Sequence, residues 1–159
     1  MTKYEELPDS TRVWIYQANK PFDTSDLPEV KMHINQFVRS WVSHNNQLRA
    51  FGDVLHNRFV VLMVDESQAG ASGCSIDKSV NFLRALQDKY QLDLFDRMIF
   101  SYLQEDKVCS VDRDTFASLY ANGTISDATP VFDTLVKNKT ELDNGFIKPL
   151  GSSWHKRMV

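Results

Sequence analysis

Phe59-Val60-Val61-Leu62-Met63-Val64-Asp65-Glu66 is the stretch whose reading decides the fold. Six consecutive apolar residues without alternation predict a strand buried on both faces, because a strand with one wet face alternates apolar and polar positions. Upstream, residues 48–55 lead into it through the short polar tripeptide His56-Asn57-Arg58, which predicts a tight β-hairpin. Downstream, the small-residue loop 67–73 opens a helix whose Ile76, Val80, Leu83, Leu86 and Tyr90 share one face.

The outer segments extend this pattern. Arg12-Val13-Trp14-Ile15-Tyr16-Gln17 is β-branched and aromatic, bounded by Pro8-Asp9-Ser10 and Asn19-Lys20-Pro21, and reads as a strand. Ser25 and Asp26 are capping residues, Pro28 suits a first helical turn, and Val30, Ile34, Phe37, Val38, Trp41 and Val42 recur at helical spacing. Residues 97–103 and 107–112 form a second hairpin through Gln104-Glu105-Asp106. A short helix over 114–121 stops at Asn122-Gly123, residues 131–136 make a last strand, and 138–151 reads as irregular. The expected fold is α+β over a single domain, residues 1–159. Its order β-α-β-β-α-β, followed by a further strand and a short helix, implies an antiparallel sheet with two main helices on one face, compatible with ferredoxin-like topology.

Composition bounds the function. At 159 residues with 42% hydrophobic and 25% charged residues, the chain can bury roughly 70% of its unfolded surface, which excludes disorder, collagen and a disulfide scaffold. The longest apolar run, residues 59–64, is far short of the ~20 residues of a membrane helix. Met1-Thr2-Lys3-Tyr4-Glu5-Glu6 lacks the basic start and apolar stretch of a secretory signal, so a cytoplasmic location is expected. Eighteen Lys and Arg are interspersed with 21 Asp and Glu, for a net charge of -3, and no basic stripe marks a nucleic-acid surface. Cys74 and Cys109 lack Cys-x-x-Cys spacing, so they read as free thiols rather than a redox pair or zinc ribbon.

One segment asks for more than packing: Gln68-Ala69-Gly70-Ala71-Ser72-Gly73-Cys74-Ser75-Ile76-Asp77-Lys78-Ser79. Glycines and small residues at the start of a helix let a ligand approach unpaired backbone N–H groups and the positive end of the dipole. The leading expectation is a binding protein that takes an anionic small molecule or peptide through Gly70, Ser72, Gly73, Ser75 and Lys78. The alternative is a thiol-dependent enzyme or redox sensor in which the helix start activates Cys74 and a histidine comes from elsewhere. A third reading is structural: Ser72 or Ser75 caps the helix, Asp77 complements its dipole, and Cys74 is a small buried residue.

The same segment imitates a P-loop, and spacing decides against it. Aligning Lys78-Ser79 to the end of Gly-x-x-x-x-Gly-Lys-Ser puts Ser72 and Asp77 where glycines belong, and Asp77 would bring negative charge to the phosphate cradle. Residues 59–66 resemble a Walker B strand but precede the loop, the reverse of the usual order. Gly-x-Ser-x-Gly is absent, which disfavours an α/β-hydrolase.

Arg12-Val13-Trp14-Ile15-Tyr16-Gln17, Asn57-Arg58-Phe59-Val60-Val61-Leu62, Ala71-Ser72-Gly73-Cys74-Ser75-Ile76-Asp77-Lys78-Ser79-Val80, Leu94-Phe95-Asp96-Arg97-Met98 and Ser153-Trp154-His155 resemble a family of small uncharacterised bacterial proteins. Members often carry the label "ABC transporter ATPase", which the spacing above does not support. The resemblance implies a bacterial cytoplasmic protein and carries over no catalytic residue.

The remaining candidates have simpler readings. His33, His44, His56 and His155 show no metal-ligand spacing; His33 and His44 would stand about 16 Å apart on one helix, and all four read as surface residues. Asp65, Glu66 and Asp77 could take a divalent cation only if folding brought them together, and no metal or cofactor is assigned. Asp93, Asp96 and Arg97 are explained by a turn and a local ion pair. Trp14, Tyr16 and Trp41 are expected between sheet and helix; Trp154-His155-Lys156-Arg157 reads either as a docking tail for a partner or ligand or, preferred, as a segment that Trp154 pins to the domain.

Overall fold

The computed structural model describes residues 2–159; Met1, first of the amino-terminal residues read above, lies outside them. The expected elements form in the expected order. They are β1 (Arg12–Gln17), α1 (Leu27–Ser40), β2 (Val42–Ser43), β3 (Asn46–Gln47), β4 (Arg49–Leu55), β5 (Phe59–Asp65) and α2 (Gly73–Tyr90). After these come β6 (Ile99–Gln104), β7 (Lys107–Asp112), α3 (Arg113–Ala121), β8 (Pro130–Phe132), α4 (Lys139–Gly145) and β9 (Ile147–Pro149).

The class is α+β with antiparallel pairing throughout. β5 lies between β1 and β4, in register Trp14↔Leu62 and Gly52↔Leu62, so β1 and β4 run parallel on either side of it. Every residue of β5 is buried. Val60, Leu62 and Val64 face Val30, Ile34 and Val38 of α1 and Leu83 and Leu86 of α2, so both main helices cover one face. Phe59, Val61 and Met63 face Phe132, Val136, Leu142 and Phe146, which cover the other. Each such side chain contributes about 1.5–3 kcal/mol on burial, which is why the run carries no polar position before Asp65. α1 approaches β4 at Gly52, where a Cβ would meet Ile34 Cγ2 at 2.5 Å.

The structure corrects several expectations. First, there is not one sheet. β6 would complete a ferredoxin-like sheet on the outer edge of β1, but it pairs instead with β7 and β8, in a second sheet of order β7-β6-β8-β9. Segment 137–139 takes the start of the β1 edge: Val13 N–H donates to Lys137 O at 2.9 Å and Lys139 N–H to Thr11 O at 2.9 Å. Second, α1 ends at Ser40, which removes Val42 and His44 from the helix. Trp41 turns extended and is 1% exposed, and the Gln47 side chain donates to its carbonyl oxygen at 3.0 Å. His44 and Asn45, both at positive φ, then turn β2 into β3. Third, 138–151 is ordered structure. Asn138 caps α4 by accepting from Glu141 N–H at 2.9 Å, and β9 returns to pair with β8. The last expected strand is shorter than 131–136, because the Asp133 carboxylate accepts from Leu135 N–H and turns the chain.

A polar chain ties the sheets. Arg58, 8% exposed, donates through Nη1 to Ser110 Oγ; Ser110 bonds Ser101, which donates to Gln17 Oε1 at 2.7 Å, and Gln17 Nε2 donates to Ile99 O at 2.8 Å. Burial lowers the pKa of Arg58. Among the described residues, no helix is long and apolar enough to cross a membrane.

Candidate functional site

The start of α2 is built as a cap. Ser72 accepts from Ser75 N–H at 3.2 Å, Ser72 N–H donates to Ser75 Oγ at 2.7 Å, and the Ser75 hydroxyl donates back to Ser72 O at 2.8 Å. Ser75 is 1% exposed, and its carbonyl accepts from the Trp41 indole. A serine cap of this kind contributes about 1 kcal/mol to the helix. The preceding loop is filled from within: Glu66 Oε2 accepts from Ala71 N–H at 2.9 Å and lies 3.2 Å from where a Gly70 Cβ would stand.

Gly73, Cys74, Asp77 and Lys78 are exposed, and nothing stands within 4 Å of a Cβ built on Gly73. Of the amides in the first turn, those of Gly73 and Cys74 have no protein acceptor among the described residues. Cys74 is therefore exposed, where the structural reading had it buried. No hydrogen bond joins it to a histidine among the described residues.

Asp65, Glu66 and Asp77 do not converge on a common cation site. Asp65 is buried and taken by Ser67 N–H at 3.0 Å and Arg49 at 3.1 Å; these backbone and side-chain bonds hold its pKa below the usual carboxylate value. Glu66 serves the loop, and Asp77 faces solvent. Among the described residues, no group of three or more His, Cys, Asp or Glu is placed to hold a metal ion. His155 departs from the surface reading, being 1% exposed. Ser153 Oγ lies 2.7 Å from its Nδ1, Phe100 and Phe116 flank the ring, and burial pushes its pKa down to about 4. Trp154 stacks on it and donates to Asp133 at 2.8 Å, which pins the carboxyl-terminal segment as expected.

Cavities lie elsewhere, among them two with mainly apolar walls, and the α2 start lines neither. One, of about 650 Å³, sits between the amino-terminal turn, β4, β5 and α4, walled by Phe51, Met63, Leu142 and Phe146. Three polar groups at its rim are already engaged: Tyr4 O–H donates to Asp143, and Asp53 accepts from Val54 N–H and pairs with Lys31 at 3.5 Å.

The other is a slot of about 380 Å³ between the outer edge of β1 and the segments that enter and leave the second sheet. Because Val13 directs its N–H outward to Lys137, the alternation of an antiparallel ladder directs the main-chain groups of Ile15 and the N–H of Gln17 outward too. Those groups have no partner among the described residues. Met98 and Leu135 line the slot at 47% and 54% exposure, among the most exposed large apolar side chains of the protein. Phe95 closes against Tyr16, with ring centroids 5.6 Å apart.

Sequence reasoning did not find this slot. Asp93, Asp96 and Arg97 read as a turn and a local ion pair, but an unpaired strand edge has no signature in the strand itself. It exists only because β6 pairs elsewhere. No family model, no curated protein and no solved structure matches the chain.

Proposed function

We propose that the protein is a small binding module that takes a short peptide segment, in extended form, along the outer edge of β1. The observation that carries this reading is the outward-facing main chain of Ile15 and Gln17 on the wall of an apolar slot. Sheet edges in native proteins are normally covered, charged or bulged, and an open one beside apolar pockets is what added peptide strands use. Main-chain pairing supplies affinity there, and Met98, Leu135 and Phe95 supply apolar contacts for side chains.

The test is a titration of the full chain with a pool of acetylated, amidated tripeptides of randomised sequence, read by the amide resonances of Ile15 and Gln17. Binding shifts both and is lost in Leu135→Asp. Unchanged resonances at millimolar peptide overturn the reading.

A second reading keeps the start of α2 as the contact for an anionic small molecule or peptide. The two unengaged amides of Gly73 and Cys74, with Lys78 exposed one turn on, support it. The exposed thiol supports the thiol-dependent alternative in the same place. Titration with phosphate and nucleotides checks the first, through a thermal shift that Lys78→Ala removes. Alkylation checks the second, through a Cys74 rate well above that of a free thiol. A flat titration and an ordinary rate overturn both.

A further inference from the structure

We infer that the slot on β1 is built for the carboxyl-terminal end of a peptide, with Arg97 as the residue that reads the free carboxylate; this rests on the peptide reading above. The slot is closed at both ends. Val13 N–H bonds Lys137 O at one, and the Gln17 side chain crosses to Ile99 O at the other. Four strand steps separate Val13 from Gln17, about 13 Å, so two or three residues of an extended chain fit and a continuous segment cannot run through. A chain end fits that length without having to bend back out.

Charge decides which end. Arg97 lines the slot, is exposed, and is in no ion pair among the described residues. Asp96 also lines the slot, with its Oδ1 accepting from Met98 N–H at 2.9 Å, and Asp93 accepts from Phe95 N–H at 2.8 Å; Arg97 is the charged side chain of the lining that none of these bonds engages. A carboxylate entering beside Arg97 gains a charge-assisted contact, whereas an ammonium there meets a like charge. The local sequence explains the placement. Asp96 at the corner of the turn accepts from Met98 N–H and so fixes the main chain on either side of Arg97.

The experiment compares the same acetylated tripeptide pool as free acids and as amides, against the native chain and Arg97→Gln. Free acids bind about fivefold tighter than amides to the native chain, the effect of one exposed ion pair. In Arg97→Gln that preference disappears while the affinity for the amides is unchanged. Equal binding of acids and amides by the native chain overturns the inference and leaves the peptide reading standing. A preference that survives Arg97→Gln overturns the role of Arg97. Failure of both forms to bind removes the peptide reading and this inference together.

Discussion

The indole N–H of Trp41 donates to the carbonyl oxygen of Ser75 across 2.8 Å, joining the residue that ends α1 to the first turn of α2. Both partners are about 1% exposed, so the bond lies in a dry interior. Trp14 and Phe37 pack on the same indole, with centroids 5.9 and 5.0 Å away.

Trp41→Phe keeps most of that aromatic packing and removes the donor. The expected loss is about 1–2 kcal/mol, the usual effect of a buried hydrogen bond lost with one partner left behind. Urea unfolding at pH 7 measures it. A change under 0.3 kcal/mol would show that the indole contributes by packing alone.

Gly52→Ala tests the contact between α1 and the first sheet. The new Cβ would lie 2.5 Å from Ile34 Cγ2, 3.2 Å from Val38 Cγ1 and 3.3 Å from Leu62 Cδ2, all in a packed interior. Overpacking of this kind costs about 1–3 kcal/mol. In a double-mutant cycle, Ile34→Ala relieves part of that cost, so the two losses sum to more than the double variant shows. Simple additivity would mean that the helix moves away without strain.

His155 makes stability depend on pH in a defined window. Its folded pKa of about 4 lies below the unfolded value near 6.5, so the unfolded chain takes up the proton first as pH falls. The stability it contributes at neutral pH is therefore lost progressively between pH 6.5 and 4, by at most about 3 kcal/mol. His56, also lowered by burial, acts in the same direction. Burial works to raise Asp133, but Lys148, Trp154 and Leu135 N–H outweigh it and hold its pKa below the usual carboxylate value, so its contribution is lost at lower pH still. Urea midpoints at pH 7 and 4.5 should differ less in His155→Gln than in the native chain. An unchanged difference would assign the acid sensitivity elsewhere.

Legibility followed the range of the forces involved. The hairpin at residues 56–58 was readable because a turn is local, and its His56-Asn57 pair adopts positive φ just as His44-Asn45 does in the hairpin that was missed. The second was hidden because the helical spacing of α1 runs on through Trp41 and Val42, and only the buried indole and the Gln47 cap stop it. α4 was hidden because Leu142 and Phe146 alone make too short a periodic signal. At the start of α2 the serine cap was readable from sequence, while the Glu66 carboxylate that fills the loop depends on a side chain several residues back.

Phe59 to Val64 determined by itself that this protein has a strand covered on both faces, since six apolar side chains leave no face for water. The capped helix after it and the hairpin before it were likewise written in short-range patterns. Only the tertiary structure decided that β6 leaves β1 for β7 and β8, and so that Ile15 keeps an open edge. Strand partnership is a competition between distant segments for the same main-chain groups, and no local pattern records which of them wins.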